Sequence, residues 1–510
     1  MTAATARLRG RLGVDIGAAL NLVGALVKYL ALAFLLPVVV ALWYSEPVWP
    51  FLVAGGITAV AGWGLELASQ GKERVGPREG FLVVAMTWVV AAGVGALPYL
   101  LVDEPQLEAP LNAYFESMSG FTTTGASILT DIDGLDRSVA MWRQLTQWLG
   151  GMGIIVLALA VLPRLRVGGR QLMESELPGP ELEPLTASIR DTARRLWSVY
   201  VALTALEVAV LTLLGVTGAD RSMGFFEAVA HAFTTMPTGG FSTEGRSIEA
   251  FGGASQWTIV AFMALAGSNF VLMYRAVARR NLGAYRRDQE FRLYGALLLL
   301  GAAVILVELL HVGLYHGEEA VRHAVFQATS IMTTTGYASV DFNEWTAVAP
   351  LAVMVLVALM FAGGSAASTG GSIKVVRHLL IAKILRRELD QTVHPEVVQP
   401  VRLNRKSVDE RTLRAVIGFV LLYVGIFVVG AILLVVEATR AGVPVTPFEA
   451  IAASATTLGN VGPALGFAGP IGSFEPFSDL SKGIMIALMW IGRLEIIPVV
   501  ILFTRVYWRA

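Results

Sequence analysis

Four short polar stretches interrupt an otherwise apolar chain, and their residue types define the chemistry on offer. They read FTTTGAS at 121–127, FTTMPTGGFST at 233–243, MTTTGYAS at 332–339 and ATTLGNVGPALG at 455–466. Threonine supplies hydroxyls. Glycine, with no Cβ, supplies a backbone that can turn its carbonyls inward. Rings of such carbonyls can replace the water shell of a dehydrated cation. Covalent chemistry finds little support. The chain has no cysteine, so thiol and disulfide chemistry are excluded. It shows no nucleophile triad, zinc motif, P-loop or GxGxxG. A membrane-embedded enzyme would need a His, Asp or Glu cluster within its apolar segments, and only scattered single residues occur there. The six histidines show no ligand spacing, and His311, His316 and His323 are expected to be solvated at a membrane end. The reading is therefore of a non-enzyme with no cofactor of its own.

The elements that must position these stretches repeat with them. A Phe-[Glu/Gln]-[Ala/Ser]-x-[Ala/Ser] motif precedes each one: FESMS at 115–119, FEAVA at 226–230, FQATS at 326–330 and FEAIA at 448–452. Each motif sits on an apolar segment too short to cross a membrane, between two longer ones. The unit is helix, short helix, Gly-rich loop, helix, used four times. Phe115 to Gly125 and Phe326 to Gly336 each span ten residues, while Phe226 to Gly240 and Phe448 to Gly462 each span fourteen. The alternation suggests pseudo-fourfold packing about one axis. Non-helical backbone at membrane depth is tolerated where protein or water surrounds it. Four such loops converging on an axis would line a pore. One copy alone reads as well as small-residue packing between helices; four copies at corresponding positions argue for the pore.

Composition places all of this in a bilayer. Of 510 residues, 55% are hydrophobic and 15% charged, with mean hydropathy +0.63, against about 25% charge in soluble chains. Residues 18–43 hold a single cation, Lys28, and comparable runs occupy 139–163, 255–274, 293–307, 346–362, 415–436 and 483–504. Runs of about 20 such residues span a bilayer as helices. The fold class expected is an all-α polytopic membrane protein with ten transmembrane spans and four pore-loop repeats. Net charge is zero and suggests no nucleic-acid partner. Arg and Lys crowd into 72–78, 164–170, 190–195, 275–292, 374–387 and 402–414, which the positive-inside rule assigns to the cytoplasm. Arg7, Arg9, Arg11, Arg505 and Arg509 then place both termini inside. The first apolar run is too long for a signal-peptide core and reads as a first span. The expected divisions are 1–75 (an N-terminal helix pair), 76–170, 171–285, 286–400 and 401–510 (the four repeats, the third with a broken second helix).

Two further features carry chemistry. Residues 362–373, AGGSAASTGGSI, place four Gly and four Ser/Thr in twelve positions inside a span. Glycine costs roughly 1 kcal/mol against alanine in a helix, so the segment should break the helix and lie beneath the polar loops. A flexible kink with close helix packing is the alternative. Arg493, in MWIGRLEIIPV of the last span, is an intramembrane cation and so a functional candidate. It should sit near the pore below the loops. The competing reading is a structural pair with a carboxylate on another helix, such as Glu116, Glu227 or Glu449.

The motifs together resemble the Trk/Ktr/HKT superfamily of potassium transporters, most closely its Trk branch. The resemblance rests on FESMSGFTTTGAS, QWLGGMGIIVLALAVLPRL at 147–165, HAFTTMPTGGFST, FQATSIMTTTGYAS, FAGGSAASTGGSIKVVR and TTLGNVGPALG. The two extra N-terminal spans favour Trk over Ktr. The resemblance implies a K⁺ selectivity filter built from Thr123, Thr124 and Gly125; Thr238, Gly239 and Gly240; Thr334, Thr335 and Gly336; and Asn460, Val461 and Gly462. PTGG and GNVG leave two registers open, with Gly239 or Gly459 in place of Gly240 or Gly462. It implies that the loop with Gly363, Gly364, Ser365, Gly370 and Gly371 acts as an intramembrane gate, and that Arg493 is the family's pore arginine. It also implies a homodimer in the cytoplasmic membrane, with a cytosolic ring of regulatory subunits that bind the nucleotide. The acidic run 174–183 around Pro178 and Pro180 resembles the family's cytoplasmic linker. A secondary transporter of an organic solute, or a sodium-preferring or cation-coupled member of the superfamily, is the alternative.

Overall fold

The computed structural model describes residues 13–69, 76–153, 189–278, 281, 283–396 and 399–509. Its long elements, in chain order, are α1 (Ile16–Tyr44), α2 (Trp49–Ala68), α3 (Arg78–Leu101), α4 (Pro110–Phe121), α5 (Arg137–Gly151), α6 (Ile189–Thr217), α7 (Phe225–Thr235), α8 (Gly253–Ala266), α9 (Phe270–Ala278), α10 (Gln289–His311), α11 (Gly317–Met332), α12 (Pro350–Leu359), α13 (Val375–Val393), α14 (Glu410–Ala441), α15 (Pro447–Gly459), α16 (Asp479–Arg493) and α17 (Ile497–Phe503). The only sheet among the described residues is a two-residue hairpin pairing Arg402 with Ser407.

Six of these helices are long and apolar enough to cross a membrane: α1, α2, α3, α6, α10 and α14. Two bent pairs raise the number to eight: α8 and α9 meet at 97°, and α16 and α17 at 113°. The apolar runs at 255–274 and 483–504 are therefore each broken. The run at 139–163 is helical as α5 to Gly151, and its part beyond Gly153 lies outside the described residues, as do the 174–183 linker and Arg7, Arg9 and Arg11. The run at 346–362 yields α12, and the chain returns to helix only at Val375.

The first two helices pack through glycine. A Cβ on Gly24 would lie 2.8 Å from the Gly62 carbonyl, and one on Gly62 would lie 2.5 Å from the Lys28 nitrogen. Small residues bring the backbones together as they do in many membrane helix pairs. Lys28, the one cation of the first apolar run, pairs with Glu66 at 2.5 Å.

The short helices α4, α7, α11 and α15 occupy the positions expected from the repeat. Their starts are coded locally. Pro110 and Pro447 stand in first turns, where no intrahelical N–H is lost. Thr446 and Glu449 form a reciprocal capping box on α15, with the Glu449 carboxylate 2.7 Å from the Thr446 nitrogen. Nearly every residue in the C-terminal halves of α4, α11 and α15 is buried, so their ends lie in the centre of the protein.

Candidate functional site

All four short helices end in the same way. Thr123, Thr238, Thr334 and Asn460 have φ of 53°, 56°, 62° and 53°. The next residue in each loop returns its N–H to the carbonyl five positions back: Thr124 to Ser119 at 2.9 Å, Gly239 to Thr234 at 2.8 Å, Thr335 to Ser330 at 2.9 Å and Val461 to Thr456 at 2.9 Å. This is the Schellman ending, a left-handed residue followed by a six-to-one bond. Glycine usually fills the left-handed position. Asparagine tolerates it, but a β-branched threonine there is strained, at roughly 1–3 kcal/mol each. Strain kept in three loops marks a site where the side chain or the bend is required.

Two residues further on, Gly125, Gly240, Gly336 and Gly462 are also left-handed, at 82°, 82°, 82° and 113°. The backbone thus pairs Gly240 and Gly462 with the glycines of the TTTG loops. Gly239 corresponds instead to Thr124, Thr335 and Val461, and Gly459 is the last residue of α15. These glycines close a ring. A Cβ on Gly125 would lie 2.2 Å from the Gly239 carbonyl oxygen, on Gly240 2.0 Å from that of Thr335, on Gly336 2.0 Å from that of Val461, and on Gly462 2.8 Å from that of Thr124. Each loop abuts the next, and the fourth returns to the first.

Counting back from the left-handed residues corrects one expectation. The Phe-[Glu/Gln] motifs of the second and fourth repeats lie one helical turn earlier than those of the first and third. Glu116 therefore corresponds to His231, Gln327 and Ala453, which accounts for the alternating ten- and fourteen-residue spacings. Glu116 and His231 also do corresponding work. Glu116 accepts from the Ser127 hydroxyl at 3.0 Å, and the His231 ring bonds Ser242 Oγ at 2.9 Å, serines at equivalent loop positions.

Arg143, Gln147 and His231, behind the ring, were not foreseen. Arg143 of α5 is fully buried against fully buried Glu116 at 2.8 Å. It also donates to the Ser242 carbonyl at 3.3 Å and lies 4.2 Å from the Phe241 ring centroid, so it joins the first two loops. Gln147 clasps the second loop, donating to the Gly239 carbonyl at 2.7 Å and accepting from the Phe241 N–H at 3.1 Å. Asn460 donates to Thr124 Oγ1 at 2.9 Å and to the Met489 carbonyl at 3.0 Å, tying the fourth loop to the first and to α16. Arg143 lies inside an apolar run, so the rule that singled out Arg493 would have found it. His231 would have emerged from aligning the repeats on their glycines. His323 is also corrected: it is buried, with Nδ1 2.9 Å from Ser339 Oγ, because its helix is drawn into the protein rather than ending in solvent.

The segment 362–373 interrupts a helix and lies against the ring. Gly371 N–H donates to Thr334 Oγ1 at 2.7 Å. A Cβ on Gly370 would lie 2.9 Å from the Thr333 carbonyl, and one on Gly371 2.3 Å from that of Gly459. Gly363 donates to the Ile373 carbonyl at 3.0 Å, closing the loop on itself, and Ser365 to that of Gly267 at 2.8 Å, where α8 breaks. A Cβ on Gly364 would lie 2.8 Å from the same Gly267 carbonyl. Lys374, buried, donates to the Gly370 carbonyl.

Arg493 holds this segment. It donates to the Thr369 carbonyl at 3.0 Å and to the Gly150 carbonyl at 2.9 Å, bridging the segment to the end of α5. The carboxylates considered as its partners have their own engagements: Glu116 with Arg143, Glu227 with Arg137 at 4.0 Å, and Glu449 in its capping box. Glu495 pairs with Arg377 at 2.5 Å. No group of three or more His, Cys, Asp or Glu residues suited to a metal ion occurs among the described residues.

Residues 51–508 match the family model TrkH, described as "Cation transport protein". The chain is 38% identical over 497 residues to the Trk system potassium uptake protein TrkH of Salmonella typhimurium, covering 96% of this chain and 98% of that one. It is 32% identical over 509 residues to the Trk system potassium uptake protein TrkI of Halomonas elongata, covering 96% of each. The crystal structure of the potassium transporter TrkH from Vibrio parahaemolyticus superposes with a TM-score of 0.84 at 33% identity, over 97% of this chain and 99% of that one. These are ion transporters and not enzymes. With its broken spans and ring of loops, the chain belongs to the TrkH family of Trk potassium-transport membrane proteins.

Proposed function

We propose that this protein takes up K⁺ across the cytoplasmic membrane through the four-loop ring, with backbone carbonyls of residues 123–125, 238–240, 334–336 and 460–462 as the selectivity filter. The observation that carries the reading is the closed cycle in which each loop's left-handed glycine abuts the carbonyl of the next loop. Helix polarity supports a cation as cargo. Four helices present their C-termini to the ring, and each such end carries about −0.5 of an elementary charge. K⁺ is cargo here, and the chain carries no resident cofactor.

Ten spans are counted as the six long helices, the two bent pairs, the apolar run 139–163 read from the sequence, and α12 with α13 as a broken span. The divisions at 75/76, 170/171, 285/286 and 400/401 separate the N-terminal pair and four repeats. The segment with Gly363, Gly364, Ser365, Gly370 and Gly371 is the gate, held shut from below by Arg493. The Gly371 N–H bond to Thr334 Oγ1 supports the gating role. Both termini are cytoplasmic, and two copies work with a cytosolic nucleotide-binding ring that moves the gate. A sodium-preferring or cation-coupled member is the competing version.

Purified protein in liposomes tests this. Radioactive rubidium should enter and labelled amino acids should not, and the reversal potential in mixed K⁺/Na⁺ should follow the K⁺ gradient. Amino-acid uptake, or a reversal potential that follows Na⁺, would reject the K⁺ reading.

A further inference from the structure

The second loop differs from the other three at one position. Aligned on the left-handed residues, Gly239 stands where the other loops place Thr124, Thr335 and Val461. All three of those are β-branched, with side chains held in few rotamers. Glycine has no side chain to pack, and its backbone is freer than that of any other residue. Gly239 is not among the left-handed glycines, so its backbone angles do not call for glycine.

Gln147 of α5 explains the substitution. A Cβ on Gly239 would lie 2.3 Å from Gln147 Oε1, 2.4 Å from its Cδ and 3.0 Å from its Cγ. The glutamine amide thus occupies the room that a side chain at 239 would need. Gln147 is fully buried. It donates to the Gly239 carbonyl at 2.7 Å and accepts from the Phe241 N–H at 3.1 Å. The two bonds use opposite ends of one amide, a donor and an acceptor, which neither a hydrocarbon nor a carboxylate can supply together. Arg143, four residues earlier on the same helix, holds the next stretch of the loop through the Ser242 carbonyl at 3.3 Å.

The clasped oxygen belongs to the ring. It is the Gly239 carbonyl that a Cβ on Gly125 would meet at 2.2 Å. The carbonyls of Thr335, Val461 and Thr124 meet Gly240, Gly336 and Gly462 in the same way. Among the described residues those three accept no hydrogen bond, so one carbonyl of the set is held by an amide while three are not. A hydrogen bond from an amide fixes the direction of an oxygen and competes with an ion for it. Discrimination between K⁺ and Na⁺ depends on how closely and how strongly carbonyl dipoles gather round the ion.

From this arrangement we infer that Gln147 is a specificity-determining positioning residue. It stands in for the side chain that position 239 lacks, and it keeps the second loop's carbonyl from closing round the smaller Na⁺. Without the clasp, a carbonyl carried on glycine is free to swing. The inference rests on the proposed ion pathway.

Reversal potentials in mixed K⁺/Na⁺ and thermal melting of the same purified protein read selectivity and stability separately. Gln147→Met keeps the length of the side chain and removes both bonds. The K⁺/Na⁺ permeability ratio should fall about tenfold, the worth of about one buried hydrogen bond. Gly239→Ala reaches the same end from the other side. Its Cβ displaces the mobile end of a side chain rather than backbone, so this variant serves where Gln147→Met folds poorly, and its ratio should fall likewise. Gln147→Ala combined with Gly239→Val refills the space with a β-branched residue, as Val461 does in the fourth loop. It should recover most of the ratio lost in Gln147→Ala alone. Variants that melt lower yet keep the wild-type ratio would make Gln147 a packing residue and overturn the inference, as would a double variant no more selective than Gln147→Ala. A wild type without K⁺ preference would reject the ion pathway and this inference with it; a K⁺-selective wild type whose variants keep its ratio rejects the inference alone.

Discussion

Gly336→Ser tests the ring at one of its two tightest closures. A side chain at φ 82° costs about 1–2 kcal/mol from the left-handed backbone alone. The added Cβ would stand 2.0 Å from the Val461 carbonyl oxygen and 2.9 Å from Pro463 Cδ. Real Cβ atoms stay beyond 3.0 Å, so the Val461 carbonyl must retreat by about 1 Å. The obstructing atom is backbone, so no side-chain rotation relieves it. A carbonyl displaced that far no longer replaces ion hydration on equal terms with the other three loops. Each 1.4 kcal/mol lost from K⁺ preference is about tenfold in selectivity, so the K⁺/Na⁺ permeability ratio should fall about tenfold or more, or uptake should stop. Reversal potentials in mixed K⁺/Na⁺, with rubidium uptake per folded molecule, measure both outcomes. An unchanged ratio at an unchanged rate would refute the assignment of Gly336 to the filter and the importance of ring closure.

Shortening 362–373 should raise K⁺ flux and weaken its dependence on a cytosolic partner; a shortened protein that inserts normally and conducts no faster would show that the segment is no barrier. Arg493→Ala should also raise flux per folded molecule. On the proposed pathway the charge would repel a cation passing at about 8 Å by roughly 2 kcal/mol at an effective dielectric of about 20, and its bonds to the Thr369 and Gly150 carbonyls hold the segment in place. A destabilised Arg493→Ala protein with no flux gain would leave the arginine as scaffolding. Arg143→Met strands the Glu116 carboxylate in a fully buried site and should lower folding stability by about 3–5 kcal/mol, with Glu116→Gln added to it restoring much of the loss. Thermal unfolding of both variants checks this, and equal melting of wild type and Arg143→Met would reject the pair as a brace.

The sequence by itself determined the properties that act along the chain. Long apolar runs specify helices for a bilayer, and the runs at 18–43, 293–307 and 415–436 fall within the long helices α1, α10 and α14. Proline and capping residues start α4 and α15, and the Gly/Ser/Thr density at 362–373 breaks a helix, because each acts through its own backbone or its nearest turn. The TTTG loops were legible for the same reason, and the comparison with relatives agrees with the family their motifs resemble. Tertiary structure decided what joins distant residues. The register of the second and fourth loops emerged from left-handed Thr238 and Asn460, since PTGG and GNVG allow two readings and only the packing of one loop on another selects between them. The Arg143–Glu116 pair, the Gln147 clasp and the Asn460–Thr124 bond join residues 27, 92 and 336 positions apart, and no local pattern records such pairings.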